Sequence, residues 1–137
     1  MVDALRETHR VLKTEGLLID LRPAAVHRRV GFTDGDGYRL QWVMRETFED
    51  DHAADRAVAD VVAEGRFEVE SRMLFPCYRV MDNLNDFTEW LTEFIEKGKF
   101  TSHDWLVRRV EQELDAVSDK PKIVVSAPLV LRALRKQ

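Results

Sequence analysis

The chain has 137 residues, enough to withdraw roughly two-thirds of its unfolded surface from water as one domain spanning 1–137. It is 45% hydrophobic and 34% charged, and lacks the ~20-residue apolar run of a membrane span, so a soluble, cytoplasmic protein is expected. A net charge of −4 with interleaved signs offers no basic field for nucleic acid, and a single cysteine, Cys77, excludes an internal disulfide and a multi-cysteine metal site.

Val2, Leu5, His9 and Leu12 recur at helical spacing and predict an amphipathic first helix, with Gly16 as its left-handed stop. Leu17-Leu18-Ile19-Asp20-Leu21 then reads as a short strand covered on both faces. The stretch from Ala24 to Gly37 is expected to be irregular, with a turn at Asp34-Gly35-Asp36-Gly37. Beyond it Tyr38, Leu40, Trp42 and Met44 alternate with wetter positions, as in a half-buried strand.

Acids from Glu46 to Asp51 open a second helix carrying Ala53, Ala54, Ala57, Val58, Val61 and Val62, stopped near Gly65. An extended segment follows over 66–81, with Phe67, Val69, Met73, Phe75, Tyr78 and Val80 as inward residues and Pro76 marking an edge, bulge or bend. Asn83 or Asn85 is suited to cap a third helix with Phe87, Trp90, Leu91, Phe94 and Ile95, and Ser102 to cap a fourth with Trp105, Leu106, Val110, Leu114 and Val117. The β-branched run 122–134 predicts a last strand, with Pro128 interrupting any regular ladder.

Residues 4–20, Ala4-Leu5-Arg6-Glu7-Thr8-His9-Arg10-Val11-Leu12-Lys13-Thr14-Glu15-Gly16-Leu17-Leu18-Ile19-Asp20, resemble the late motif of class I S-adenosylmethionine-dependent methyltransferases. There a helix reading E-x-x-R-V-L-K-P-G-G runs into the fifth strand. Glu7, Arg10, Val11, Leu12, Lys13 and Gly16 match, and Thr14-Glu15 stands where Pro-Gly is usual. The resemblance implies an α/β fold: a partial Rossmann-like, mixed sheet with two long antiparallel C-terminal strands, flanking helices and a basic tail at Leu131–Lys136.

In that family the cofactor lies on a strand, a glycine-rich turn and a helix. No such unit precedes residue 4, and Gly31 to Gly37 lack a buried strand leading in, so no cofactor-binding residue is assigned. The resemblance thus implies a non-catalytic remnant that assembles with itself or a partner, without an activity of its own. One alternative is half of a split methyltransferase whose other chain supplies S-adenosylmethionine binding. The family's fifth strand is normally flanked by its fourth, so Leu17, Leu18, Ile19 and Leu21 are expected to form an interface. Either a homodimer or the complementary half covers it, or strand 38–44 folds back to fill the vacancy.

A third reading is a small-molecule pocket enclosed by Tyr38, Trp42, Phe87, Trp90, Phe94 and Trp105, although aromatic stripes at this spacing are usually core. Asp51, His52 and Asp55 share one helical turn, but a solvated, dipole-favoured acidic start explains them better than a metal, and none is assigned. Asp34 and Asp36 lack the remaining ligands of a calcium loop. Cys77 reads as a structural thiol, His9 as a partly buried, satisfied imidazole, and His27-Arg28-Arg29 and His103 as surface groups. No catalytic pair is assigned.

Overall fold

The computed structural model describes residues 1–98 and 103–137. In chain order it contains α1 (Val2–Val11), β1 (Leu17–Pro23), β2 (Arg28–Thr33), β3 (Tyr38–Met44), α2 (Glu49–Ala63), β4 (Phe67–Met81), α3 (Leu84–Glu96), α4 (Asp104–Ala116) and β5 (Lys122–Lys136). The strands form one sheet in the order β1-β5-β2-β3, with β4 also on β5. β1 and β5, β2 and β5, and β2 and β3 all pair antiparallel. The ion pairs Glu70–Arg135 and Asp82–Lys122 step in opposite chain directions along β4 and β5, as antiparallel neighbours do. The expected mixed sheet is therefore corrected to an antiparallel one among the described residues; a parallel neighbour would have to come from a further strand.

Two compact units divide the chain. The first comprises Met1–Val26, Phe48–Phe75 and Pro128–Gln137. Its core joins Leu5 of α1, Ala57, Val58 and Val61 of α2, Phe67 of β4 and Leu134 of β5, with Val2, Leu12 and Leu18 packed against them. The periodic apolar stripe of α1 thus finds the complementary stripe of α2. The left-handed residue after α1 is Glu15, at φ 61°, and not Gly16 as expected. Gly16 serves a different need: a Cβ there would lie 2.7 Å from the Lys13 carbonyl oxygen.

The second unit comprises His27–Thr47 and Pro76–Ala127. Part of the stretch expected to be irregular is β2, which forms a hairpin with β3 and is broken by a bulge at Val30/Gly31. Gly31 permits the close approach, since a Cβ at that position would fall 1.8 Å from the Arg39 carbonyl oxygen. Along β3, burial rises from exposed Tyr38 through Leu40 and Trp42 to fully buried Met44. Val30, Phe32, Met44, Ile123 and Val125 meet Phe87, Trp90 and Leu91 of α3 and Leu106, Val110 and Leu114 of α4 in one core. Asn83 caps α3, its side-chain oxygen accepting from the Asp86 N–H at 2.9 Å; the Ser102 cap lies outside the described residues.

Neither proline breaks its strand. Lys122–Ser126 of β5 pair with β2 and Leu129–Arg135 with β1, so Pro128, which lacks an N–H, falls between the two ladders. Pro76 lies inside β4, which among the described strands pairs with β5 alone. In β4 Phe67 and Met81 are buried, whereas Val69, Met73, Tyr78 and Val80, expected inward, are exposed. The basic segment Leu131–Lys136 ends β5, with Arg132 and Leu134 buried. No helix of the described residues is long and apolar enough to cross a membrane.

Candidate functional site

The site begins with the backbone of β1. The Gly16 carbonyl accepts from the Lys136 N–H at 2.9 Å, and the Ala24 N–H donates to the Pro128 carbonyl at 3.0 Å, both continuing the β1–β5 register. Peptide groups of alternate strand residues point to opposite edges. Positions 18, 20 and 22 therefore turn their N–H and C=O toward β5, and positions 17, 19 and 21 turn theirs away. β1 ends the strand order, and no described strand pairs with that outer edge.

The same alternation sorts the side chains. Leu18 packs on the α1–α2 core, while Leu17, Ile19 and Leu21 are 42%, 51% and 55% exposed. The expectation of a strand covered on both faces is thus corrected for one of them: helices of the described unit cover only the even face. Strand 38–44 does not fill the vacancy either, because β3 pairs with β2.

Charges link the even face to its neighbours. Arg22 Nε donates to both Asp20 oxygens at 3.0 Å, and its Nη2 reaches Asp55 Oδ1 at 2.7 Å. Arg132 donates to the same two acids, at 3.3 Å to Asp20 and 2.7 Å to Asp55. Burial pushes the Asp55 carboxyl up, but the hydrogen bonds from Arg132 and Arg22 outweigh it and leave it below its ordinary value. This ring of two acids and two arginines ties β1 to α2 and β5. Its one signal in the sequence is Asp20-Leu21-Arg22, which places opposite charges two apart on one strand face; nothing in the sequence marks Arg132 as their third partner.

The six aromatic residues are placed differently from one another. Phe87 and Trp90 are buried in the core, and Phe94 packs against it beside Trp90 at 4.9 Å between ring centres. Trp42 meets Phe32 edge-on, Tyr38 stacks on Tyr78 at 4.1 Å, and Trp105 is 44% exposed. Trp90 also borders a surface hollow of about 220 Å³ with Arg79, Asp86, Glu89 and Glu93.

Asp55 of the acidic turn is engaged by the two arginines, His52 lies edge-on to Phe48, and no metal-ligating cluster occurs among the described residues. Asp34 caps its own turn, accepting from the Asp36 N–H at 3.1 Å. Cys77 is exposed. His9 meets Phe67 edge-on at 5.3 Å, but its buried Nε2 has no hydrogen-bond partner, a correction to the satisfied imidazole. His103 is buried, not at the surface. His27 Nδ1 accepts from the Glu46 N–H, and Arg28 pairs with Glu46 and lies over the Phe94 ring.

Gly35 and Gly37, at φ 104° and 159°, occupy the β2–β3 hairpin turn. A dinucleotide-type cradle needs a helix N-terminus after the glycines, and here a strand follows, so Gly35 and Gly37 do not form one. No known family, curated protein or solved structure matches this chain.

Proposed function

We propose that this chain is a non-catalytic, methyltransferase-like module whose work is assembly, done through the outer edge of β1. One observation carries the reading: a strand with outward peptide groups at positions 17, 19 and 21 and three exposed apolar side chains beside them. An edge of this kind is a template for another strand. The methyltransferase element of the reading is supported by the matching residues Glu7, Arg10, Val11, Leu12, Lys13 and Gly16, which form the passage from α1 to β1, and by the pairing of the two long strands β4 and β5.

A second reading is that the partner is the complementary half of a split methyltransferase. It is favoured by the position of the free edge, on the side of β1 where the family places its fourth strand. Both readings assign cofactor binding to something other than these residues. Calorimetry with S-adenosylmethionine on the purified chain is the test: no binding heat is expected, and micromolar affinity overturns the non-catalytic assignment.

A further inference from the structure

We infer that the occupant of the β1 edge is a second copy of this chain, paired antiparallel about a two-fold axis at Ile19. This rests on reading β1 as the partner edge, and adds which partner and which register. The outward donors are the N–H groups of Leu17, Ile19 and Leu21, each beside its own outward carbonyl. The set is bounded by left-handed Glu15 on one side and by Pro23, which has no N–H, on the other. It is therefore symmetric about Ile19, and a symmetric edge is complementary to its own copy.

Registers differ in what they satisfy. With the axis at Ile19, Leu17 faces the partner's Leu21 and Ile19 faces the partner's Ile19, so every outward N–H finds a carbonyl. An axis at Asp20 sets Leu17 against Pro23, whose missing N–H leaves the outward Leu17 carbonyl unpaired. An axis at Leu21 sets Ile19 against the donor-less proline. In the favoured register Asp20 meets Leu18 of the other copy, at little electrostatic cost, because Arg22 and Arg132 neutralise it within its own chain. On the opposite face Leu17, Ile19 and Leu21 of both copies form one apolar row with no charged side chain in it.

Sedimentation of the purified chain over tens of micromolar, with amide hydrogen exchange read at the same positions, tests this. A monomer–dimer equilibrium is expected, and Ile19→Lys, which opposes two like charges at the axis, should raise the dimer Kd at least ~10-fold. Leu17→Lys and Leu21→Glu should each weaken association, and mixing the two variants should restore it, since the register places those positions opposite each other. The mixing result decides the question if Ile19→Lys fails to show a native thermal transition. A wild-type monomer whose Leu17, Ile19 and Leu21 amides exchange freely overturns self-pairing while leaving the open edge intact. A monomer with those amides protected overturns the edge reading as well, and so does a dimer that none of the three variants weakens.

Discussion

Arg132 Nη2 donates to Asp55 Oδ1 at 2.7 Å, and this contact fastens the last strand to the second helix across 77 residues of sequence. Asp55 also receives Arg22, so one carboxylate holds two cations that are each only 10–13% exposed in their side chains. Asp55→Asn should leave Asp20 as their one carboxylate partner in the ring and cost about 1–3 kcal/mol, the half-open position of Asp55 keeping the loss below that of a fully buried pair. Urea unfolding checks it: the midpoint should fall with the slope unchanged.

Acid should loosen the first unit through Glu64 before any core side chain is involved. Hydrogen bonds from Arg6 and then Arg66 pull the Glu64 carboxyl from 4.5 to about 2. Because the folded value is depressed, the unfolded chain binds the proton more readily. The stabilising contribution is present above 4.5 and is lost as pH falls toward about 2. Asp55, also depressed, acts in the same direction below its ordinary 3.8. Glu64→Gln should flatten the pH dependence of the unfolding midpoint over that window, and a carboxyl NMR titration of wild type should place Glu64 well below an ordinary glutamate.

The helices were legible from periodicity because each buries one stripe, and Val2, Leu5 and Leu12, or Phe87, Trp90 and Leu91, announce it. β2 was not, since Arg28-Arg29-Val30-Gly31-Phe32-Thr33 has neither alternation nor a β-branched run, and its pairing with β3 and β5 supplies what its local sequence lacks. The open edge of β1 could be expected only from the resemblance. Taken alone, the run Leu17–Leu21 reads as a strand buried on both faces, because hydrophobicity reports what a segment would prefer to cover and not what is there to cover it. The closure of the ion-pair ring by Arg132 is not legible for a different reason: Asp20 and Arg132 lie 112 residues apart, and no local pattern joins them.

Lys136 ends β5 by reaching back to the first helix. Its Nζ donates to the carbonyls of His9 at 2.6 Å and Leu12 at 2.8 Å, satisfying acceptors that the end of α1 leaves open. A lysine here also meets the negative end of the helix dipole. Lys136→Met keeps the stem and removes the donor, and should cost about 1–2 kcal/mol. The loss should be local: amides in the last turn of α1 should exchange faster, while those of α3 and α4 stay as protected as before.

Gly31 sets the hardest constraint in the second unit. It sits at the bulge where β2 shifts register against β3, and the backbone of the neighbouring strand occupies the place of its side chain. The obstacle is the carbonyl group of Arg39, which cannot rotate away as a side-chain tip can, so Gly31→Ala must separate the hairpin to fit. The adjacent Val30 and Phe32 are core residues that also pair with Val125 and Ile123, and parting the strands would draw them off α3 and α4. A loss of more than about 3 kcal/mol is expected. Gly35→Ala provides the contrast: at φ 104° it meets no atom within 4 Å, so its cost is backbone strain in the turn, about 1–2 kcal/mol. Thermal unfolding of the two variants should therefore rank Gly31→Ala well below Gly35→Ala, and the reverse order would show that the bulge yields more readily than the turn.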